Sequence, residues 1–230
     1  MTPVRLINRS CELRRKCEMN LPFTPEEFLN VFRVYNQTIW PAQILAYLLG
    51  LLAIYAAFKK TPSGSRIAVG VLSLFWLWNG GAYHLGHFSS INKMAYLFGM
   101  LFFIQGVFFF YFGIIRKTLI FRFRPDNYSL AGALLILYAM VVYPTLGHIF
   151  GHVYPAAPVF GVAPCPTTIF TFGIMLWTAP RVPKAVLIIP LLWSLIGFTA
   201  AITLGIYEDI GLLVAGVVCA SLIWIRDRKG

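Results

Sequence analysis

The charged residues of this chain fall into a few clumps, and the gaps between clumps are long and apolar. Arg33 to Lys59 encloses 25 uncharged residues, Arg66 to Lys93 encloses 26, and Lys93 to Arg116 encloses 22. Asp126 to Arg181 encloses 54, Lys184 to Glu208 encloses 23, and Asp209 to Arg226 encloses 16. A hydrocarbon slab about 30 Å thick takes about 20 helical residues to cross. The spacing therefore predicts an all-α, polytopic helical membrane bundle. Only 12% of the residues are charged, against the roughly 25% of a soluble domain.

Two adjacent spans fill the 54-residue gap, with a break at the Pro/Gly-rich stretch Tyr154 to Pro166 (YPAAPVFGVAPCP). About seven transmembrane helices result, over 39–58, 66–88, 94–115, 130–150, 167–180, 184–204 and 208–226. Pro144 and Pro190 should kink the fourth and sixth. Residues 1–18 are polar and read as a disordered or extraneous tail, with 19–230 as a single transmembrane domain. Thr24, Pro25 and Glu27 form a helix start, and Phe28, Val31, Phe32 and Tyr35 put one apolar stripe on the helix that follows. That short amphipathic helix should lie in the membrane interface before the first span.

The net charge of +11 at first suggests nucleic acid, but the basic residues sit in short connections, where they orient helices. The partner is the lipid bilayer, with no nucleic acid; other membrane subunits are compatible. One side of a seven-span topology holds Lys59, Lys60, Arg66, Arg116, Lys117, Arg122, Arg124, Arg181, Lys184, Arg226, Arg228 and Lys229. From Met19 onward the other side holds only Arg33 and Lys93. The positive-inside rule puts the first side, with the C-terminus, in the cytoplasm and the N-terminus outside. Met19 is accordingly a candidate natural start.

From Met19 the text resembles a bacterial family of multi-pass membrane proteins classed as a domain of unknown function. The matching stretches are MNLPFTPEEF (19–28), YNQTIWPAQ (35–43), YPAAPVFG (154–161), PCPTTIFTFG (164–173) and VLIIPLLWSLIG (186–197). The resemblance implies a bacterial inner-membrane location. It implies no activity and no catalytic residue.

The topology brings all four histidines toward the outer face. His84 and His87 (i, i+3) end the second span, and His148 and His152 (i, i+4) end the fourth. Two such pairs could hold a transition metal, with zinc, copper or haem iron as the groups imidazole suits. Glu208 and Asp209 open the seventh span on the same side, where they could act behind the imidazoles. Structural or headgroup-facing histidines are the simpler reading. Gly147 and Gly151 at GxxxG spacing allow close helix approach.

Asn79 and Gln105 fall mid-span, either bonding each other as packing glue or lining a small polar path. Thr167 and Thr168 read first as a helix cap, with an anion site at the same N-terminus as the alternative. The rich aromatic content reads as a lipid-facing belt.

The functional expectation is an integral inner-membrane protein with an outer-face histidine-rich metal or haem site. One alternative is a membrane-embedded zinc-dependent hydrolase, loosely similar to the ceramidase and adiponectin-receptor-like hydrolases, whose acidic and serine pattern is not matched here. Another is a small-solute transporter or accessory subunit without metal.

Overall fold

The computed structural model describes residues 22–179 and 181–229. The reading of residues 1–18 as a tail lies outside that range. Among the described residues there are eight helices and no strand; the pairing of Phe121 with Thr178 is an isolated bridge.

Helix α1 (Pro25–Thr38) begins as its sequence predicts. Thr24 Oγ1 accepts from the Glu27 amide, and Glu27 Oε2 accepts from the Thr24 amide at 2.8 Å. The capping box thus satisfies two orphan donors. Val31, Phe32 and Tyr35 are buried, while Glu26 and Glu27 are exposed. The stripe packs on the bundle itself, with Phe32 stacked on Tyr83 and Tyr35 edge-on to His87. An 86° bend separates α1 from α2 (Ala42–Phe58).

Helix α3 (Pro62–Trp78) continues as a π-helix through Leu85, and α4 (Ala95–Phe109) does the same through Ile115. Helix α5 (Asn127–Ile149) carries a π segment at Tyr138–Val142, just before Pro144. A π turn relieves the missing N–H and the ring clash of a mid-helix proline, so the two belong together. Helix α7 (Ala185–Leu204) ends at Gly205, whose φ of 73° is the left-handed cap that glycine adopts without strain. A short 3₁₀ turn, Tyr207–Asp209, then leads into α8 (Ile210–Lys229).

Four helical stretches are long and apolar enough to cross a membrane: Ala95–Ile115, Asn127–Ile149, Ala185–Leu204 and Tyr207–Arg228. The bent pair of α1 and α2 makes a fifth if it counts as one span. Leu45, Leu48, Met100, Val107, Ile188 and Leu195 are exposed on these elements, an apolar exterior that a membrane would cover.

The expected fifth span differs. Helix α6 (Pro164–Met175) has only 12 residues, roughly 18 Å of rise. All of its residues are buried except half-buried Cys165. It packs on α5, α7 and α8 and touches α3. Its threonines do not cap it: Thr167 and Thr168 hydroxyls donate back to the Ala163 and Pro164 carbonyls at 2.7 and 2.8 Å. Back-bonding lets hydroxyls be buried at low cost. The N-cap is Ala163, with no side-chain bond.

Ahead of α6 the chain is irregular but buried, with Phe160, Gly161, Val162 and Ala163 inside the bundle. Non-helical backbone at such depth must be covered by protein and given partners. Here Asn36 Nδ2 donates to the Pro155 and Ala157 carbonyls at 2.7 and 2.8 Å. Tyr35 Oη donates to the Val162 carbonyl at 2.8 Å. Asn79 Nδ2 reaches the Gly161 carbonyl at 3.1 Å. Asn79 and Gln105 therefore do not bond each other. Gln105 Nε2 donates to the Val186 carbonyl at 2.9 Å, so each amide pins a different piece of backbone.

The basic connections gather at one end. Phe121 N donates to Ser65 Oγ, Arg122 N to the Trp177 carbonyl, and Arg226 Nη1 to the Leu176 carbonyl. These bonds join the first turn of α3 to the α4–α5 loop, that loop to the C-terminal end of α6, and the same end of α6 to the C-terminal part of α8. Helix α1, the histidines, the 150–163 loop and the start of α8 lie together at the opposite end, tied by Tyr35–His87 and Phe150–Tyr207 ring contacts and the His152–Glu208 pair.

Candidate functional site

Helix α8 starts with two acidic residues. A helix N-terminus favours negative charge, so their position is locally sensible. Their burial is not what a water-facing span end would give: Glu208 is 0% exposed and Asp209 2%. Buried carboxylates need partners. Tyr143 Oη, in the last two turns of α5, donates to Asp209 Oδ1 at 2.6 Å. The Cys165 thiol, on the first turn of α6, also adjoins the Asp209 carboxylate. His152 Nδ1 lies 2.8 Å from Glu208 Oε1. Tyr138 Oη donates to the Glu208 carbonyl at 2.8 Å. Glu208 Oε2 has no partner.

The N-terminus of α6 thus meets a carboxylate of its own chain. Pro164 and Pro166 carry no N–H, which leaves Cys165 as the only amide donor in the first three positions. An anion site at this helix start, the alternative reading of the sequence, would have a single amide in the first three positions and a carboxylate of the chain beside it.

The acidic pair stands between two cavities. The larger, of about 320 Å³, has Tyr83, Phe88, Phe98 and Trp193 in its wall and Cys165 and Asp209 at its polar spot. Phe28 and Phe32 of α1 close one side, and Thr199, Ala200 and Thr203 of α7 another. No lysine or arginine lines it. The Trp193 Nε1 donor has no partner. The second cavity, of about 210 Å³, is lined by Tyr143, His148, His152, Tyr154 and Glu208 among others.

The four histidines have four different surroundings. His84 is 0% exposed and sits among Tyr83, Phe88, Phe98, Phe102 and Trp193, with neither ring nitrogen bonded. His87 Nδ1 faces the Ala82 carbonyl at 2.8 Å. Helix α5 ends at Ile149, so exposed His148 is on the helix and His152 is in the loop beyond it. The i, i+4 geometry of that pair is lost. Among the described residues no three His, Cys, Asp or Glu side chains are grouped as metal ligands. Glu208 does meet a histidine, as its spacing from the outer end suggested, but as the partner of His152 alone.

Sequence reasoning missed Tyr143 and Trp193, and it left Cys165 as a loop cysteine without a role. A tyrosine before a proline inside an apolar span was the available signal for Tyr143. Trp193 offered none, because an indole in an apolar helix looks like packing. The aromatic belt also needs correction: Trp76 is fully buried, with Nε1 donating to Thr171 Oγ1 at 3.0 Å. The GxxxG pair is not realised: Gly151 lies beyond the end of α5 with nothing within 4 Å of an added Cβ, and only Gly147 is closely approached, by Glu208 Oε1 at 3.1 Å from an added Cβ.

A family of unknown function, DUF6064, matches residues 25–230. The chain belongs to that family. The match begins at the capped start of α1 and runs through α8, so the acidic pair, the four histidines and all of the lining of the two cavities except Pro22 and Phe23 fall within it. No curated protein and no solved structure matches the chain.

Proposed function

We infer that this DUF6064 chain is a bacterial inner-membrane protein that binds a membrane-soluble amphiphile in the larger cavity. The supporting observation is a mostly apolar cavity of about 320 Å³ that ends on one buried carboxylate, Asp209. That size lies at the low end of ligand pockets, about 300–1,000 Å³. Apolar walls suit a hydrocarbon tail. With Asp209 as its only ionisable carboxylate and no lysine or arginine in the wall, the polar spot suits a head that donates hydrogen bonds or carries positive charge. Anionic heads are disfavoured by like charge.

The membrane topology belongs to the same reading. The chain crosses about seven times, the fifth crossing being the buried 151–163 segment followed by α6. The basic end is cytoplasmic and the N-terminal helix lies outside. Helix α1 then forms a lid at the outer interface, over the cavity. Among the described residues no three His, Cys, Asp or Glu side chains are grouped to hold a metal ion.

Small-solute transport is the second reading. The observation in its favour is the buried irregular segment that precedes the short helix α6, since discontinuous helices near mid-membrane carry substrate sites in many transporters.

The test is extraction of the protein purified in mild detergent, with the retained small molecules identified by mass spectrometry. Ala200→Phe, which fills the cavity from α7, should strip a species that the wild type retains. Equal retention by both proteins would refute the reading.

A further inference from the structure

The second cavity is separate from the one assigned above and holds the other carboxylate. Its wall contains Tyr143, His148, His152, Tyr154, Ala157 and Glu208, and no lysine or arginine. Glu208 is fully buried there. Its Oε1 is taken by His152 Nδ1 at 2.8 Å, and its Oε2 has no partner. A carboxylate oxygen removed from water and left without a donor is costly, and a ligand that brings one recovers that cost. The cavity that Glu208 helps to line, about 210 Å³, is room for a few heavy atoms and not for a long tail. Tyr143 and Tyr154 add aromatic rings, whose faces attract cations.

We propose that this vestibule is a second binding site, which takes a small protonated primary amine whose ammonium group donates to Glu208 Oε2. An ammonium brings up to three donors and needs no fixed coordination shell. A metal ion would need at least one more His, Cys, Asp or Glu ligand than the group here supplies. The site goes beyond the amphiphile reading and does not depend on it, because neither Asp209 nor Ala200 lines this cavity.

The experiment follows thermal unfolding of the full chain in lipid nanodiscs, with methylammonium chloride titrated against sodium chloride at matched ionic strength. Methylammonium should raise the midpoint saturably. The rise should vanish in Glu208→Gln, weaken at least tenfold in apparent affinity in Ala157→Leu, and persist in Asp209→Asn. An equal rise with sodium, or an undiminished rise in Glu208→Gln, overturns the proposal. If Glu208→Gln does not fold, saturation-transfer NMR on Asp209→Asn, which lacks the carboxylate of the other cavity, decides. Transfer to methylammonium protons that ethylammonium competes away supports the site, and no transfer overturns it.

Discussion

Tyr143 and Asp209 are joined by a 2.6 Å hydrogen bond that links the last two turns of α5 to the start of α8. The bond lets a carboxylate face an apolar cavity without being stranded. Tyr143→Phe should therefore destabilise the protein by about 1–3 kcal/mol. The measure is the unfolding midpoint in detergent. In an Asp209→Asn background the same substitution should cost less, because the partners act as a unit.

His152 and Glu208 form the other half of the arrangement, with side chains 10% and 0% exposed. His152→Ala leaves both oxygens of the Glu208 carboxylate without a partner. The expected loss is about 3–5 kcal/mol, the range for breaking a buried pair from one side. Adding Glu208→Gln should recover part of it. An unchanged midpoint in His152→Ala would mean that the pair carries no stability.

Helix α5 lies against α6 with almost no gap. A Cβ at Gly132 would come 2.6 Å from the Gly173 carbonyl oxygen and 2.8 Å from Trp177 Nε1. Gly132→Val should cost about 1–3 kcal/mol by overpacking and loosen the Trp177–Ser129 bond of 2.9 Å. Tryptophan fluorescence would report the latter. Gly70→Val is the control, since nothing stands within 4 Å of its added Cβ.

Orientation is tested by cysteine labelling in intact cells, with Cys11 and Cys17 replaced by serine. Ser63→Cys, in the basic α2–α3 region, should resist a membrane-impermeant thiol reagent. Ser90→Cys, between α3 and α4, should react. Both positions are exposed. The opposite pattern would reverse the topology.

Charge spacing alone located the long helices, because a membrane segment must exclude charge over a fixed length. Ala95–Ile115 and Ala185–Leu204 fall within a residue of the expected 94–115 and 184–204. The capped start at Thr24 was equally plain, since a capping box is a local device. Helix α6 was not, because a 12-residue buried helix behind irregular chain has the same apolar composition as a span. The site was half visible. Glu208 and His152 were placed at one end by topology, but their pairing depends on how α5 sits against α8. Tyr143, Cys165 and Trp193 acquire roles only through tertiary neighbours, which no local pattern encodes.

The central claim is that the Asp209 cavity takes an amphiphile with a donating or cationic head. Its most direct test is binding of decylamine and decanoate to the nanodisc-embedded protein, compared with Asp209→Asn and Ala200→Phe. The two molecules have the same number of carbons, the carboxylate carbon of decanoate included, so the heads are the main difference. The account predicts saturable binding of decylamine that Asp209→Asn weakens at least tenfold and Ala200→Phe abolishes, with decanoate partitioning only as it does into empty nanodiscs. Equal saturable binding of decanoate, or decylamine binding indifferent to both substitutions, would contradict it.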